Sequence, residues 1–405
     1  MLKIILLKCL YWLTNLKNTF VIMKLYKLFL LSAVCASSIV NAQSSKEKIT
    51  FSYQQLPLFP MSGDKTYDVE VILPYENEVI AQKEAIAAEN KQLKEDAKQE
   101  KKDYDNKKVG AKLVGKVLLG DSKPTGRAEL VEAPFYQTIW SRDEIKSKVT
   151  IPGLEQKAGS AATITVFINR FNYTYNAQHI PEKGYYYRVN GTGTVTIEAK
   201  DENSTVVSNK TFSASKTGKG NDFQSKYFKS EYARDKDWNL NKEAKLRAIE
   251  SNKLKTSMSQ MAAYLKSNMG YNSVAYKGIV FTFKSKKHDY TTLNSAYPTS
   301  IEVYNMLNNY PLDQDTKGRI AEMTEIWKAE IENIDGGSKK ARINAEVGEG
   351  LYLNLAFASI WLEDFGKANV YLAKYKVLDP KGKNKVYKSV QTLLNDQKAR
   401  FAANQ

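Results

Sequence analysis

Apolar and polar residues alternate from Lys48 to Tyr53, with Ile49, Phe51 and Tyr53 on one side, and alternate again at Tyr67, Val69, Val71 and Leu73. A period of two puts every second side chain on one face of an extended chain, so both runs predict strands, separated by the turn residues Pro57, Pro60 and Gly63. Pro74 ends the second run and the period changes. From Glu76 to Lys108 the chain is rich in Ala, Glu, Lys and Gln, with Val79, Ile80, Ile86, Leu93 and Ala97 as a thin apolar stripe. This predicts a long helix with mostly solvated faces, a projecting arm or half of a short coiled coil.

Between Gly110 and Pro134 the pattern weakens to a connection with short strands. Lys112, Lys116, Lys123 and Arg127 make it basic, without the Gly-Lys-Ser arrangement that cradles phosphate. The strongest β signal follows: Ile164, Val166 and Ile168 alternate, and runs at Tyr185 to Val189 and Thr192 to Ala199 meet near Gly191 and Gly193. Asp201 to Ser204 is a polar turn, and Val206, Val207 and Thr211 to Ala214 supply a return strand. The expectation is a small antiparallel sheet or sandwich over residues 135 to 218. Gly218 and Gly220 mark a linker, after which Leu246, Ile249, Leu254, Met258, Met261, Ala262 and Leu265 define a helix from Asn241 to Ser267, closed by Gly270. Ile279, Phe281 and Phe283 predict one more strand, which could return to the β domain. Helices are expected from Ile301 to Asn309 and from Arg319 to Ile334, before the break at Gly336 and Gly337.

From Tyr352 to Pro380 the chain resembles one tetratricopeptide repeat. Tyr352, Leu355 and Ala356 lie on a first helix, Glu363 to Lys367 form the turn, Ala368 and Leu372 lie on a second helix, and Asp379-Pro380 closes it. Ser359 and Tyr375 depart from the residues usual at their positions. The resemblance implies further helices stacked alongside, including Asn384 to Ala403, because a lone repeat cannot bury its apolar face. It also implies a role in binding peptides or scaffolding protein complexes, without chemistry.

The fold class expected is α+β. It has N-terminal strands with a projecting charged helix (43–134), an antiparallel sheet or sandwich with a following helix (135–288), and a C-terminal tetratricopeptide-like helical domain (289–405). Residues 1–42 read as an export signal with a spurious extension before Met23: basic Lys24 and Lys27, an apolar run from Leu28 to Val34, then small residues ending at Ala42. Acylation at Cys35 is the rival reading, but Val34 before it is bulkier than a lipid-anchor site has. Cys9 is the other cysteine, so cleavage after Ala42 leaves no thiol and no disulfide.

Composition narrows the partners. The formal charge is +16, and Lys3, Lys8, Lys17, Lys24 and Lys27 carry five of those charges, leaving +11 after residue 42. Outside the cytoplasm such a surface meets envelope proteins, cell-wall polymer, glycan or anionic lipid, and no reading motif for nucleic acid accompanies it. No later stretch is apolar for long enough to span a membrane, which leaves a soluble chain or peripheral membrane contact.

Candidate chemistry is sparse. His179 and His288 lie far apart, and neither sits in a metal-binding spacing. No Gly-x-Ser-x-Gly elbow occurs. The carboxylate pairs Glu231 with Asp235 and Glu363 with Asp364 stand among lysines and turn residues and read as surface charges. No cofactor, metal or catalytic residue is assigned. The candidate binding surface is Tyr173, Tyr175, Tyr185 and Tyr187, whose rings suit a glycan or an extended chain unless alternate tyrosines pack inward. The function expected is that of a non-catalytic periplasmic binding or scaffold protein, with a glycan- or cell-wall-binding module as alternative and an unrecognised hydrolase behind it.

Overall fold

The computed structural model describes residues 43–405 except 62, 108–111, 113–114, 116–122, 215–221, 310 and 381–384. The export signal, Cys9, Cys35, Lys116, Gly110 and the linker glycines Gly218 and Gly220 therefore lie outside the described residues. The chain is α+β and divides into two compact units, one of Gln54–Ser273 with Ala399–Gln405, the other of Val274–Lys398 with the described part of Met1–Tyr53. Among the described residues no helix is long and apolar enough to cross a membrane.

β1 (Gln43–Gln55) opens the described chain, and its partner strand comes more than two hundred residues later. In the intervening unit, β2 (Thr66–Ile72) leads through Pro74 into α1 (Glu76–Asn106). Val79 is the one residue of α1 that is buried, as its thin stripe predicts. The arm is not a bare helix. An extended stretch returns along it: Asn90 exchanges hydrogen bonds with the Val131 N–H (2.8 Å) and C=O (3.1 Å), Lys123 lies 3.6 Å from Asp105, and the Tyr75 hydroxyl donates to the Thr138 carbonyl at 2.7 Å. A short α2 (Arg142–Lys146), capped by Ser141, follows.

Two sheets come next. β3 (Glu155–Gln156), β4 (Thr163–Ile168), β7 (Thr194–Lys200) and β8 (Val206–Ser213) join β2 in the order β3-β2-β4-β7-β8, while β5 (Asn172–Ile180), β6 (Gly184–Thr192) and β9 (Phe223–Gln224) form a second sheet. β4, β7 and β8 pair antiparallel as expected, but β2 pairs parallel with both β3 and β4. The chain changes sheet at residues 169–171 and again at Gly193, and Asn169 ties the two crossings together through Thr194 and Thr196, each 3.0 Å away. β5 lies where no strand was expected, although Tyr173 and Tyr175 alternate there with Asn172, Thr174 and Asn176.

α3 (Glu231–Met269) covers both sheets. Its first half places Trp238, Leu246 and Ile249 with Phe171, Tyr187 and Val189, and its second half places Met258, Met261, Leu265 and Met269 with Val69, Val71, Ile164 and Ile197. It starts ten residues before the expected Asn241 because Ser230 accepts from Ala233 N and Arg234 is clasped by Glu231 and Asp235. Gly270 ends it as predicted.

The other unit pairs β1 with β10 (Asn272–Lys284) in a two-stranded sheet. The expected return of this strand to the β domain is thus corrected: Ile49, Phe51, Tyr53, Val280, Phe281 and Phe283 join the core of the helical unit. The segments 43–134, 135–288 and 289–405 consequently differ from the compact units, because β1 and β2, though neighbours in sequence, bury their apolar faces in different cores. Around the pair lie α4 (Thr291–Asn294), α5 (Ala296–Asn305), α6 (Gln314–Ile331), α7 (Ala345–Trp361), α8 (Phe365–Leu378) and α9 (Lys385–Ala403). α5 and α6 begin five residues earlier than expected; Asp313 caps α6 through the Thr316 N–H at 2.7 Å.

α7 is buried on nearly every side, as a central helix that is apolar all round must be. Gly350 lets β10 approach it; a Cβ there would stand 2.8 Å from Phe283 Cε1. α7 and α8 form a hairpin whose turn holds Glu363 at φ +61° and whose second helix is capped by Asp364 accepting from Lys367 N at 3.0 Å. Ala368 and Leu372 are buried in it.

The Tyr304 hydroxyl and the Trp361 indole N–H, both packed around Phe51 and Phe357, have no hydrogen-bond partner among the described residues. A buried unpaired hydroxyl costs its desolvation, so Tyr304→Phe is expected to leave thermal stability unchanged or raise it by up to about 1 kcal/mol. A loss larger than that would mean the hydroxyl is paired in solution.

Candidate functional site

The four candidate tyrosines share one face of the second sheet. The ladder sets Tyr173 opposite Gly191, Tyr175 opposite Val189, Ala177 opposite Tyr187 and His179 opposite Tyr185, and directly opposed residues point the same way. That face is covered by the first turns of α3. The Trp238 ring lies 4.6 Å from the Tyr175 ring and 5.2 Å from the Tyr187 ring, and Tyr187 is 0% exposed. Tyr173 packs on Phe171 and Phe135, and Tyr185, half-buried, stacks on His179 at 4.3 Å.

The hydroxyls point into a polar fringe. Tyr187 donates to Asp237 at 2.6 Å, and Tyr175 donates to Asp235 at 3.3 Å. Burial pushes both phenols up, and the Asp237 hydrogen bond pushes Tyr187 further. Burial works against ionisation of Asp237, but its hydrogen bonds from Tyr187 and Lys245 outweigh it and hold the carboxyl below its usual range. Tyr187 is therefore core, with no open ring face for a glycan, while Tyr173, Tyr175 and Tyr185 are half-buried. Alternation marks which tyrosines share a side, not which side a helix will cover.

The carboxylate pairs resolve into supports. Arg234 reaches Glu231 and Asp235, each at 2.8 Å, and its hydrogen bond lowers the Asp235 carboxyl. Glu363 pairs with Lys317 at 3.1 Å, and Asp364 caps α8. His288 sits 3.1 Å from the Lys340 carbonyl. Among the described residues no group of three or more His, Cys, Asp or Glu side chains is placed to hold a metal ion.

Three other features stand out. Mid-way along α3, Glu250 accepts from the Thr138 N–H (2.8 Å) and hydroxyl (2.7 Å), and Lys253 pairs with Asp222 at 2.7 Å while donating to the Ala214 carbonyl at 2.8 Å. Beside them a groove of about 510 Å³ runs between α3 and the α2 segment, with Trp140, Leu254, Met258 and Ala262 as its apolar wall. On α8, Val370 and Val377 are 52% and 77% exposed, on the side opposite the buried Ala368, Tyr371, Leu372 and Tyr375. Neither surface was foreseen: residues 139–150 carry no periodic signal, and the apolar residues of α3 read wholly as core. Val370 and Val377 were legible as apolar positions off the inward stripe. No protein-family model, no curated protein and no solved structure matches the chain.

Proposed function

We propose that the protein is a non-catalytic, exported binding or scaffold protein of the cell envelope, whose tetratricopeptide-like helical unit docks another protein through α8. The observation that carries this reading is the pair Val370 and Val377, two turns apart and left in water on a helix whose other side is packed. Lys374 and Lys376 lie near them in sequence, and Lys367 is paired with Asp364 at 2.5 Å. An apolar stripe with cations nearby suits a partner with an apolar ridge and acidic flanks. The side chains that sequence reasoning singled out for acid–base work serve as caps and ion pairs, which supports binding over catalysis. Export rests on the order of residues in the leader.

The test is an affinity pull-down of the tagged protein from cross-linked envelopes, compared with Val370→Asp/Val377→Asp. Both positions are exposed, so the variant should fold with stability within about 0.5 kcal/mol of the parent. Defined envelope proteins that co-purify with the parent and vanish with the variant are the expected result. Equal recovery by both would move docking away from α8, and recovery of nothing but wall polymer would overturn the scaffold reading.

A further inference from the structure

The groove beside Trp140 has a shape and a charge that the protein-docking reading does not use. Its long wall is α3 from Ser251 to Ala262, eleven residues apart and so about 16 Å along the helix axis. Its volume of about 510 Å³ falls within the range of small-molecule sites, about 300–1,000 Å³. Leu254, Met258 and Ala262 follow one another at helical spacing along this wall, and Trp140 faces them from the other side.

Charge distinguishes one occupant. Across the groove Glu144 and Lys148 neutralise each other at 2.6 Å. Lys255, on the α3 wall, has no acidic partner among the described residues, and the Ser251 hydroxyl, one turn before it, makes no hydrogen bond among them. The ammonium and the hydroxyl stand on the same wall as Leu254, Met258 and Ala262, in a groove that Ser147, Thr150 and Ser259 also line. An anion beside Lys255 and Ser251 whose hydrocarbon tail lies against Leu254, Met258, Ala262 and Trp140 satisfies both.

The backbone argues against a peptide occupant. Along α3 the main chain is bonded within the helix, and beyond α2 the N–H groups of Ser147, Lys148 and Val149 are taken by the carbonyls of Asp143, Ile145 and Lys146 at 3.0 Å. The groove therefore has no strand edge to pair with an extended chain, whose own N–H and C=O groups would go unmet. A hydrocarbon tail has no such groups.

We infer that this groove binds a single-chain anionic amphiphile, a free fatty acid or lipid of that kind, with its head at Ser251 and Lys255 and its tail against Leu254, Met258, Ala262 and Trp140. This assignment is independent of docking through α8.

The experiment is calorimetric titration of the full chain with sodium dodecanoate below micelle formation, with dodecylammonium and dodecyl maltoside as controls of identical tail. Two variants address the groove: Lys255→Glu reverses the charge at the head, and Ala262→Trp fills the groove where the tail would lie. Thermal melts establish that each is folded. Dodecanoate should bind the parent at one site, and each variant should weaken it by about tenfold or more, the worth of a charge-assisted hydrogen bond or of a blocked tail. Dodecylammonium should bind the parent more weakly and Lys255→Glu more tightly. No saturable dodecanoate binding to the parent, or binding that both folded variants retain, would overturn the assignment. Equal binding of all three probes would overturn the head-group half of it.

Discussion

Asn354→Leu is expected to lower the unfolding free energy of the helical unit by about 2–4 kcal/mol. Asn354 is 1% exposed on α7 and bridges both polar groups of one residue of β10, accepting from the Phe281 N–H at 2.8 Å and donating to the Phe281 carbonyl at 2.9 Å. Asn294 does the same for Phe283, each bond 2.8 Å. The two side chains stand where a third strand would and pair the edge of β10 at Phe281 and Phe283. Leucine matches the volume and removes both partners, which leaves a buried donor and a buried acceptor unmet. Asn354→Asp separates the terms: it keeps an acceptor for the N–H but sets a carboxylate against the carbonyl, and should cost at least as much at neutral pH. Urea unfolding checks both, read for the possibility of two transitions because the chain has two compact units. A loss below about 1 kcal/mol for leucine would show that water reaches the edge of β10.

Much of this fold was legible because period reports local geometry. The alternations at Ile49 to Tyr53, Tyr67 to Val71 and Ile164 to Ile168 became β1, β2 and β4, and the thin stripe of residues 76–106 became an arm with little burial. What period does not carry is the address of each buried face. β1 and β2 lie ten residues apart and look alike, yet one enters the helical core and the other the sheet core. β10 finds its place through Asn354 and Asn294, polar residues that any hydrophobic pattern treats as silent. The burial of Tyr187 was hidden for the same reason, since the residue that packs on it, Trp238, lies in a stretch whose charges read as exposed. Conversely, the groove beside Trp140 was invisible because it is made by two segments about a hundred residues apart, of which only α3 carries a pattern. The exposed valines of α8 could be read, because a single helix has a single inward stripe and two of its apolar residues lie off it.

Glu349→Gln should stabilise the helical unit, by an amount that depends on pH. Glu349, half-buried on α7, is pushed from the ordinary 4.5 up to about 7, chiefly by burial, then by the charges of Asp379 and Glu346, with Lys46 as the opposing cation. The surrounding groups have other duties: Asp379 accepts from the buried Tyr375 hydroxyl at 2.7 Å, and Glu346 accepts from the Ser44 N–H at 3.1 Å. Glu349 therefore meets two carboxylates and one ammonium, and the folded chain favours its protonated form. The sign follows from proton linkage. The folded state binds the proton more tightly than the unfolded state, so the contribution of this group is fully present below about pH 4.5 and is lost as pH rises through about 7. Because water screens a half-exposed carboxyl, the expected loss is about 1–2 kcal/mol rather than the full worth of the shift. Glutamine keeps the shape of the neutral acid and cannot ionise. The difference in unfolding free energy between Glu349→Gln and the parent should be near zero at pH 4.5, grow through pH 6 and level off above about pH 7.5, which urea titrations across that range will read. A difference that stays flat would place Glu349 in water with an ordinary pKa, and one that falls with rising pH would mean that Lys46, not the two carboxylates, dominates its surroundings.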